Sequence, residues 1–255
     1  MVNLAKPMVI GHRGASNLAP ENTLASFSKA LELGVDAVEF DILETADHRL
    51  VVHHDYVLGK TDNGCGFICE TDFKTIRFLD AGSWFSPEFS HEKIPLFEEV
   101  VELCRGKCRM EIEVKITNSK SLKKILRILN DFDVIAEVEL TSPHIPTLFY
   151  IKKQEPKMRI GMFVSQRSFW MPQLLADQQI ANYLDLLSAD VGHFPITMLN
   201  QEIVDLLHRK RKLVHAADCN TVSDIEKAVL CGVDQLSTDN IPLTLHILST
   251  LIQRD

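Results

Sequence analysis

The sequence predicts an α/β fold of the (β/α)8 barrel type, and three observations carry that expectation. Eight strand-like apolar runs alternate with amphipathic segments from one end of the chain to the other. At 255 residues and 45% apolar composition, the chain has the length at which such barrels form one domain. No Pro/Ser-rich linker, low-complexity tract or longer internal repeat divides it, so residues 1–255 read as a single barrel domain. A doubly wound open sheet shares this local signature, and the pattern by itself favours the barrel without excluding that alternative.

The elements follow in order. Strand-like runs lie at residues 8–12, 37–43, 109–116, 134–142, 158–164, 184–190, 212–218 and 233–239. Amphipathic segments with apolar residues at helical spacing occupy 22–34, 121–132, 199–212 and 221–232. Asn22 or Thr23 is placed to cap the first of these helices, and Gly34 to close it in the left-handed conformation. One stretch breaks the rhythm: residues 56–95 are rich in Gly, Asp and aromatics where a crossover needs only a short loop and a helix. It reads as an insertion after the second strand, on the face where barrel loops build active sites.

Composition excludes several classes of function. With 35 acidic against 27 basic residues and a net charge of −8, the surface is ill suited to neutralising a nucleic-acid backbone. No stretch approaches the roughly 20 apolar residues that span a bilayer, so no stable membrane insertion is expected, and no exposed apolar anchor is evident. The first residues lack the pattern of a signal peptide, which points to a cytoplasmic protein. Cys65/Cys69 and Cys104/Cys108 have a spacing that invites a zinc or disulfide reading, but reduced thiols in a reducing compartment are the expectation. The basic run at 206–212 reads as a solvated helix face.

Period-two alternation singles out the chemistry. In "AVEFDILE", Glu39 and Asp41 share one face of a strand and Val38, Phe40 and Ile42 the other. Carboxylates turned into a barrel must be paired, protonated or bound to a cation. Glu111, Glu113 and Lys115 repeat the pattern on the third strand. Three converging carboxylates suit a hard divalent ion, Mg²⁺ or Ca²⁺, because every ligand is oxygen. The competing account is an internal salt-bridge ladder using Lys115 and Arg109. His12 and Arg13 end the first strand, and His53, His54 and Asp55 follow "RLVV". Two histidine-bearing loops with an arginine and a cation form a set that can hold a phosphate and move protons. Gly14 lets the chain turn sharply after them.

These residues resemble the glycerophosphodiester phosphodiesterase family. The resemblance rests on "GHRG" (11–14), "PENT" (20–23), Glu39-x-Asp41, "LVVHHD" (50–55), "TDNGCG" (61–66), "IPLFEEV" (94–100), "EIEVK" (111–115) and "CGVDQLSTDNIP" (231–242). It implies a (β/α)8 barrel with a small insertion after the second strand, one divalent cation, and hydrolysis of a small-molecule glycerophosphodiester to glycerol 3-phosphate and an alcohol. By matched position it implies Glu39, Asp41 and Glu113 as metal ligands and His12 and His54 as the acid/base pair. Arg13 and Lys115 are implied near the phosphate, and His53 is left outside the reaction.

Departures from the family pattern concern the substrate. "ADCN" (217–220) stands where relatives carry Trp-Thr-x-Asn, "SPH" (142–144) where they carry Ser-Phe, and Lys60 replaces an arginine. "TDNIP" has one residue more than the family's last motif. A lysophospholipase D-like activity on the same fold, or a binding barrel without catalysis, are the competing readings. The alcohol group, the order of acid and base, and the oligomeric state are not legible in the residues.

Overall fold

A computed structural model describes residues 5–252. In chain order the elements are β1 (Met8–Gly11), α1 (Leu24–Leu33), β2 (Ala37–Glu44), β3 (Leu50–Val52), α2 (Phe73–Ile76), α3 (Phe97–Cys104), β4 (Arg109–Val114), α4 (Ser119–Asp131), β5 (Val138–Ser142), α5 (Ile145–Gln154), β6 (Arg159–Phe163), α6 (Gln173–Leu187), β7 (Val191–Pro195), α7 (Gln201–Arg209), β8 (Leu213–Ala217), α8 (Val222–Cys231), β9 (Gln235–Thr238) and α9 (Ile241–Ile252). Eight parallel strands run β1-β9-β8-β7-β6-β5-β4-β2, and pairing of β1 with β2 closes the circle into a (β/α)8 barrel. β3 lies outside the circle, antiparallel on the C-terminal half of β2, where Ile42 pairs with Val52 and Glu44 with Leu50.

The alternation along β2 sets the layers. Val38, Phe40 and Ile42 are fully buried in the layer between strands and helices, with Phe27 of α1 packed edge-on to Phe40 at 5.5 Å. Side chains of this size contribute about 1.5–3 kcal/mol each when fully buried. Glu39 and Asp41 point the other way, into the barrel, and their register partners on β4 are Glu111 and Glu113.

A second, smaller apolar cluster of Leu43, Val51, Leu58, Ile68, Ile76, Ala81 and Ile94 lies under the irregular chain that follows β3. His53 fixes this segment. Its ring is buried, with Nδ1 bonded to the Asp55 carbonyl at 2.8 Å and Nε2 facing Asp62 at 3.2 Å. Asp62 in turn accepts from Gly59 and Gly64 backbone N–H groups.

The chain departs from the sequence expectation in two strands. Residues 184–190 do not form a strand: α6 continues to Leu187, Ser188 takes a left-handed conformation, and the strand is Val191–Pro195. Buried Ala181, Leu184 and Leu187 recur at intervals of three, which is helical spacing, while Gly192, His193 and Pro195 make the true strand look unlike one. At residues 134–142 only Val138–Ser142 is extended, and Ile135–Glu137 form a 3-10 turn after Asp133. Thr23 rather than Asn22 caps α1, and Gly34 closes it at φ 75°. All six cysteines are free thiols.

Candidate active site

The turn after β1 brings the first site residues to the C-terminal rim of the barrel. Arg13 sits at φ 56° and Gly14 at φ 86°. A side chain at Gly14 would lie 2.4 Å from Ser26 Oγ and 2.7 Å from the Ser26 backbone, so only glycine fits against α1 here. The turn is fixed from below, since the Arg13 backbone N–H donates to Glu39 Oε2 at 3.0 Å.

Glu39, Asp41 and Glu113 converge, each offering a carboxylate oxygen within 4.8 Å of the others. Burial pushes the Glu39 carboxyl well above its usual range, and neighbouring Asp41 adds to the rise. Glu113 is raised for the same two reasons. Asp41 goes the other way: burial opposes ionisation, but Lys115 and His54 outweigh it. Three oxygens held together against their mutual repulsion, with no nitrogen or sulfur among them, fit a hard divalent cation.

Lys115 braces this group from β4's end. Its Nζ donates to Asp41 Oδ1 at 2.9 Å and to the His54 carbonyl at 2.8 Å, and lies 3.5 Å from Glu113 Oε1. The ammonium group therefore ties the acidic triad to the His54 loop. The Arg13 guanidinium donates to Glu21 Oε1 at 2.7 Å, and its Nε lies 3.7 Å from Asp41 Oδ2.

His12 adjoins the triad, and the His54 loop is tied to it through Lys115. His12 Nδ1 donates to Asp239 Oδ1 at 2.7 Å, which leaves Nε2 facing the pocket 3.8 Å from Glu39. Burial alone would lower its pKa, yet the Asp239 bond and the Glu39 charge prevail and raise it to about 9. His54 Nδ1 pairs with Asp55 Oδ1 at 2.8 Å. Its pKa is lowered, by burial first and then by Arg13 and Lys115, against the pull of Asp41.

Three positioning residues were not identified as such in the sequence. Asp239 orients His12 and is itself held by Ser16 Oγ at 3.0 Å and Asn220 Nδ2 at 2.7 Å. Asn22, buried at φ 58°, donates to Asp41 Oδ2 at 2.9 Å. Glu21 pairs Arg13. The signal was present in "PENT" and "STDN", where polar residues adjoin chain turns at the same rim.

Below the rim the barrel axis stays polar. His193 Nε2 pairs with Glu139 Oε1 at 2.6 Å, and Arg159 Nε faces Glu139 Oε2 at 2.9 Å. Glu111 lies between the Nδ1 atoms of His193 and His215, at 3.4 and 3.2 Å. A buried polar network of Glu111, Glu139, Arg159, His193 and His215 thus lies beneath the acidic triad, with Arg159 as its cation, while burial lowers the His215 pKa to about 4. The pocket above it has a volume of about 310 Å³, with Ala217 and Asp218 in its wall. His144 does not line it.

The chain matches the model of the glycerophosphoryl diester phosphodiesterase family over residues 12–243. A glycerophosphodiester phosphodiesterase of Caldanaerobacter subterraneus subsp. tengcongensis is 31% identical over 244 residues, covering 94% of this chain and 96% of that protein. One from Bacillus subtilis is 27% identical over 263 residues, covering 96% and 88%. Among solved structures, an Oleispira antarctica phosphodiesterase in complex with its product sn-glycerol-3-phosphate superposes with a TM-score of 0.85 at 27% identity, covering 95% of this chain and 97% of that one. With the barrel, the acidic triad and the paired histidines in place, the chain belongs to the glycerophosphoryl diester phosphodiesterase family and is an enzyme.

Proposed function

We propose that the enzyme hydrolyses glycerophosphodiesters to glycerol 3-phosphate and a free alcohol, using one divalent cation and histidine acid/base catalysis. The observation that supports this reading is the convergence of Glu39, Asp41 and Glu113 beside His12, with Lys115 joining them to the His54 loop. Glu39, Asp41 and Glu113 would hold Mg²⁺ or Ca²⁺. Bound there, the ion supplies charge stabilisation to the phosphoryl oxygens.

The chain's own groups divide the remaining work. Arg13, held by Glu21, lends its positive charge to a phosphate oxygen, and Lys115 adds positive charge while fixing Asp41 and Glu113. His54, whose pKa is lowered by burial and then by Arg13 and Lys115, takes the proton from the attacking water. His12, held between Asp239 and Glu39, returns a proton to the departing alkoxide. Ala217 leaves the pocket wall open where a larger side chain would narrow it.

The test is release of glycerol 3-phosphate from glycerophosphocholine and glycerophosphoethanolamine, with Mg²⁺, Ca²⁺ or chelator. Cation-dependent release, lost in His12→Ala and His54→Ala with the fold intact, is expected. Full activity in either variant would refute the acid/base assignment, and full activity in chelator would refute the cation's role.

A further inference from the structure

The floor of the catalytic pocket holds a second group of metal-ligating side chains, which the reaction proposed above does not use. Glu111 on β4, His193 on β7 and His215 on β8 all line the pocket, and each offers a ligand atom within 4.8 Å of the others. The two imidazole rings stack with centroids 4.2 Å apart and planes 27° from parallel. Both turn Nδ1 towards Glu111, one to each carboxylate oxygen, at 3.4 Å from His193 and 3.2 Å from His215.

Hydrogen bonds around each ring decide where its proton sits. Arg159 Nη2 donates to Gln235 Oε1 at 3.0 Å, which turns the Gln235 amide nitrogen to His215 Nδ1 at 3.2 Å. His215 Nδ1 is therefore an acceptor, and the ring proton sits on Nε2, 3.0 Å from Ser237 Oγ. His193 Nε2 donates to Glu139 Oε1 at 2.6 Å, so the neutral His193 ring likewise presents a lone pair at Nδ1. A carboxylate faced by two lone pairs lacks a positive partner: Glu111 is 5% exposed, and its Oε2 is buried without a hydrogen bond. A proton on Glu111 answers this poorly, because it serves only one oxygen and an O–H donor closes to about 2.5–3.0 Å. Contacts of 3.2 and 3.4 Å instead match the ~3.3 Å edge between two ligands held tetrahedrally at about 2.0–2.1 Å from zinc.

We propose that Glu111, His193 and His215 bind a divalent transition ion of the zinc class, below the oxygen triad of Glu39, Asp41 and Glu113. Two imidazoles and a carboxylate are a set that zinc takes up and that Mg²⁺ and Ca²⁺, which prefer oxygen alone, do not select. Glu139 is the outer partner such a site needs, since its bond to His193 Nε2 fixes the ring and its tautomer. On binding, the ion takes the His215 lone pair from Gln235, whose amide nitrogen keeps Glu139 Oε2 at 3.3 Å. The remaining coordination position faces the pocket, through which the ion enters. Strands β4, β7 and β8 are then tied together at one point inside the barrel. The inference goes beyond the proposed reaction and does not depend on it.

The test uses the chelator-stripped full chain in excess Mg²⁺, titrated with Zn²⁺ in a calorimeter, with X-ray absorption at the zinc edge on the protein loaded with a single equivalent. Zinc is expected to bind with two imidazole nitrogens at about 2.0–2.1 Å in its shell. His215→Gln should weaken that binding by about 100-fold or more, at or beyond the upper end of what losing an outer partner costs. Glu113→Gln, which breaks the oxygen triad, should change it by less than about tenfold. No zinc taken up, or a zinc shell with fewer than two imidazoles, overturns the proposal. Binding that survives His215→Gln and is lost in Glu113→Gln does the same, because the zinc then sits in the triad. Should His215→Gln fail to fold, the imidazole count in the native protein decides by itself. No arm reads phosphodiester hydrolysis, so failure of the proposed reaction and failure of this site are told apart.

Discussion

Asp239→Asn isolates one contact of the site, the bond to His12 Nδ1 at 2.7 Å. The native carboxylate accepts from His12, Ser16 and Asn220, on both oxygens. An amide has only one oxygen. Turned to keep His12 and Ser16, it points its NH2 at the Asn220 donor; turned the other way, it loses both. One unsatisfied contact costs about 1–3 kcal/mol of stability. The change at His12 is electrical as well. A hydrogen bond to a charged group is worth about 1.5–3 kcal/mol and a neutral one about 0.5–1.5, a difference of about 1–1.5 kcal/mol favouring the imidazolium. At about 1.4 kcal/mol per unit, the His12 pKa should drop by about one unit from its raised position near 9. If His12 is the acid, the alkaline limb of kcat moves down by the same unit. The assay is the pH dependence of kcat in Asp239→Asn beside the native enzyme, both saturated with cation. A cation on Glu39 weakens that residue's pull on His12 equally in both proteins, so the difference between them survives. An unchanged alkaline limb would refute the role given to the His12–Asp239 pair.

Three further outcomes are expected. The raised carboxyls of Glu39 and Glu113 bind more protons folded than unfolded, so without cation their contribution to stability falls as pH rises through their folded pKa values, and a bound cation reverses this. At a hundredfold excess over Kd the cation should add about 2.7 kcal/mol, or roughly 5–10 °C in Tm, with a smaller gain at acid pH, as scanning calorimetry with and without chelator can show. Gly161→Ala would place a Cβ 2.3 Å from His193 Nε2 and 2.6 Å from Glu139 Oε1, and should cost about 3–5 kcal/mol through overpacking and loss of that pair. A thermal midpoint within a degree or two of the native one would show that the interior gives way more easily than these distances allow. Asn22→Ala removes the donor to Asp41 and puts alanine at φ 58°; calorimetric titration with Mg²⁺ should show affinity weakened by about 10–100-fold.

The acidic face of the barrel was legible in the sequence because its signal is local. Glu39-x-Asp41 and Glu111-x-Glu113 are period-two patterns, and parallel pairing of β2 with β4 then aligns Glu39 with Glu111 and Asp41 with Glu113. The orienting partners were less legible because their contacts are remote in sequence: Asp239 meets His12 across 227 positions, through closure of the barrel by β9 and β1. β7 was misplaced for a related reason. Its His193 serves the buried charge network and its Gly192 lies close against Phe194, so a strand that answers to tertiary demands lost its β-like composition. Phe169 and Trp170, which are exposed, could not be read as such, because a run of apolar residues near a helix start looks the same whether it faces core or solvent.

The acidity of the barrel axis has a consequence for cation binding. Burial and mutual repulsion raise the Glu39 and Glu113 carboxyls, although Arg13, Lys115 and the raised His12 lie around them. A divalent cation entering the site would displace the protons these carboxyls hold, so its uptake is coupled to proton release. In weak buffer, cation binding should acidify the medium, and the site should fill least readily in acid.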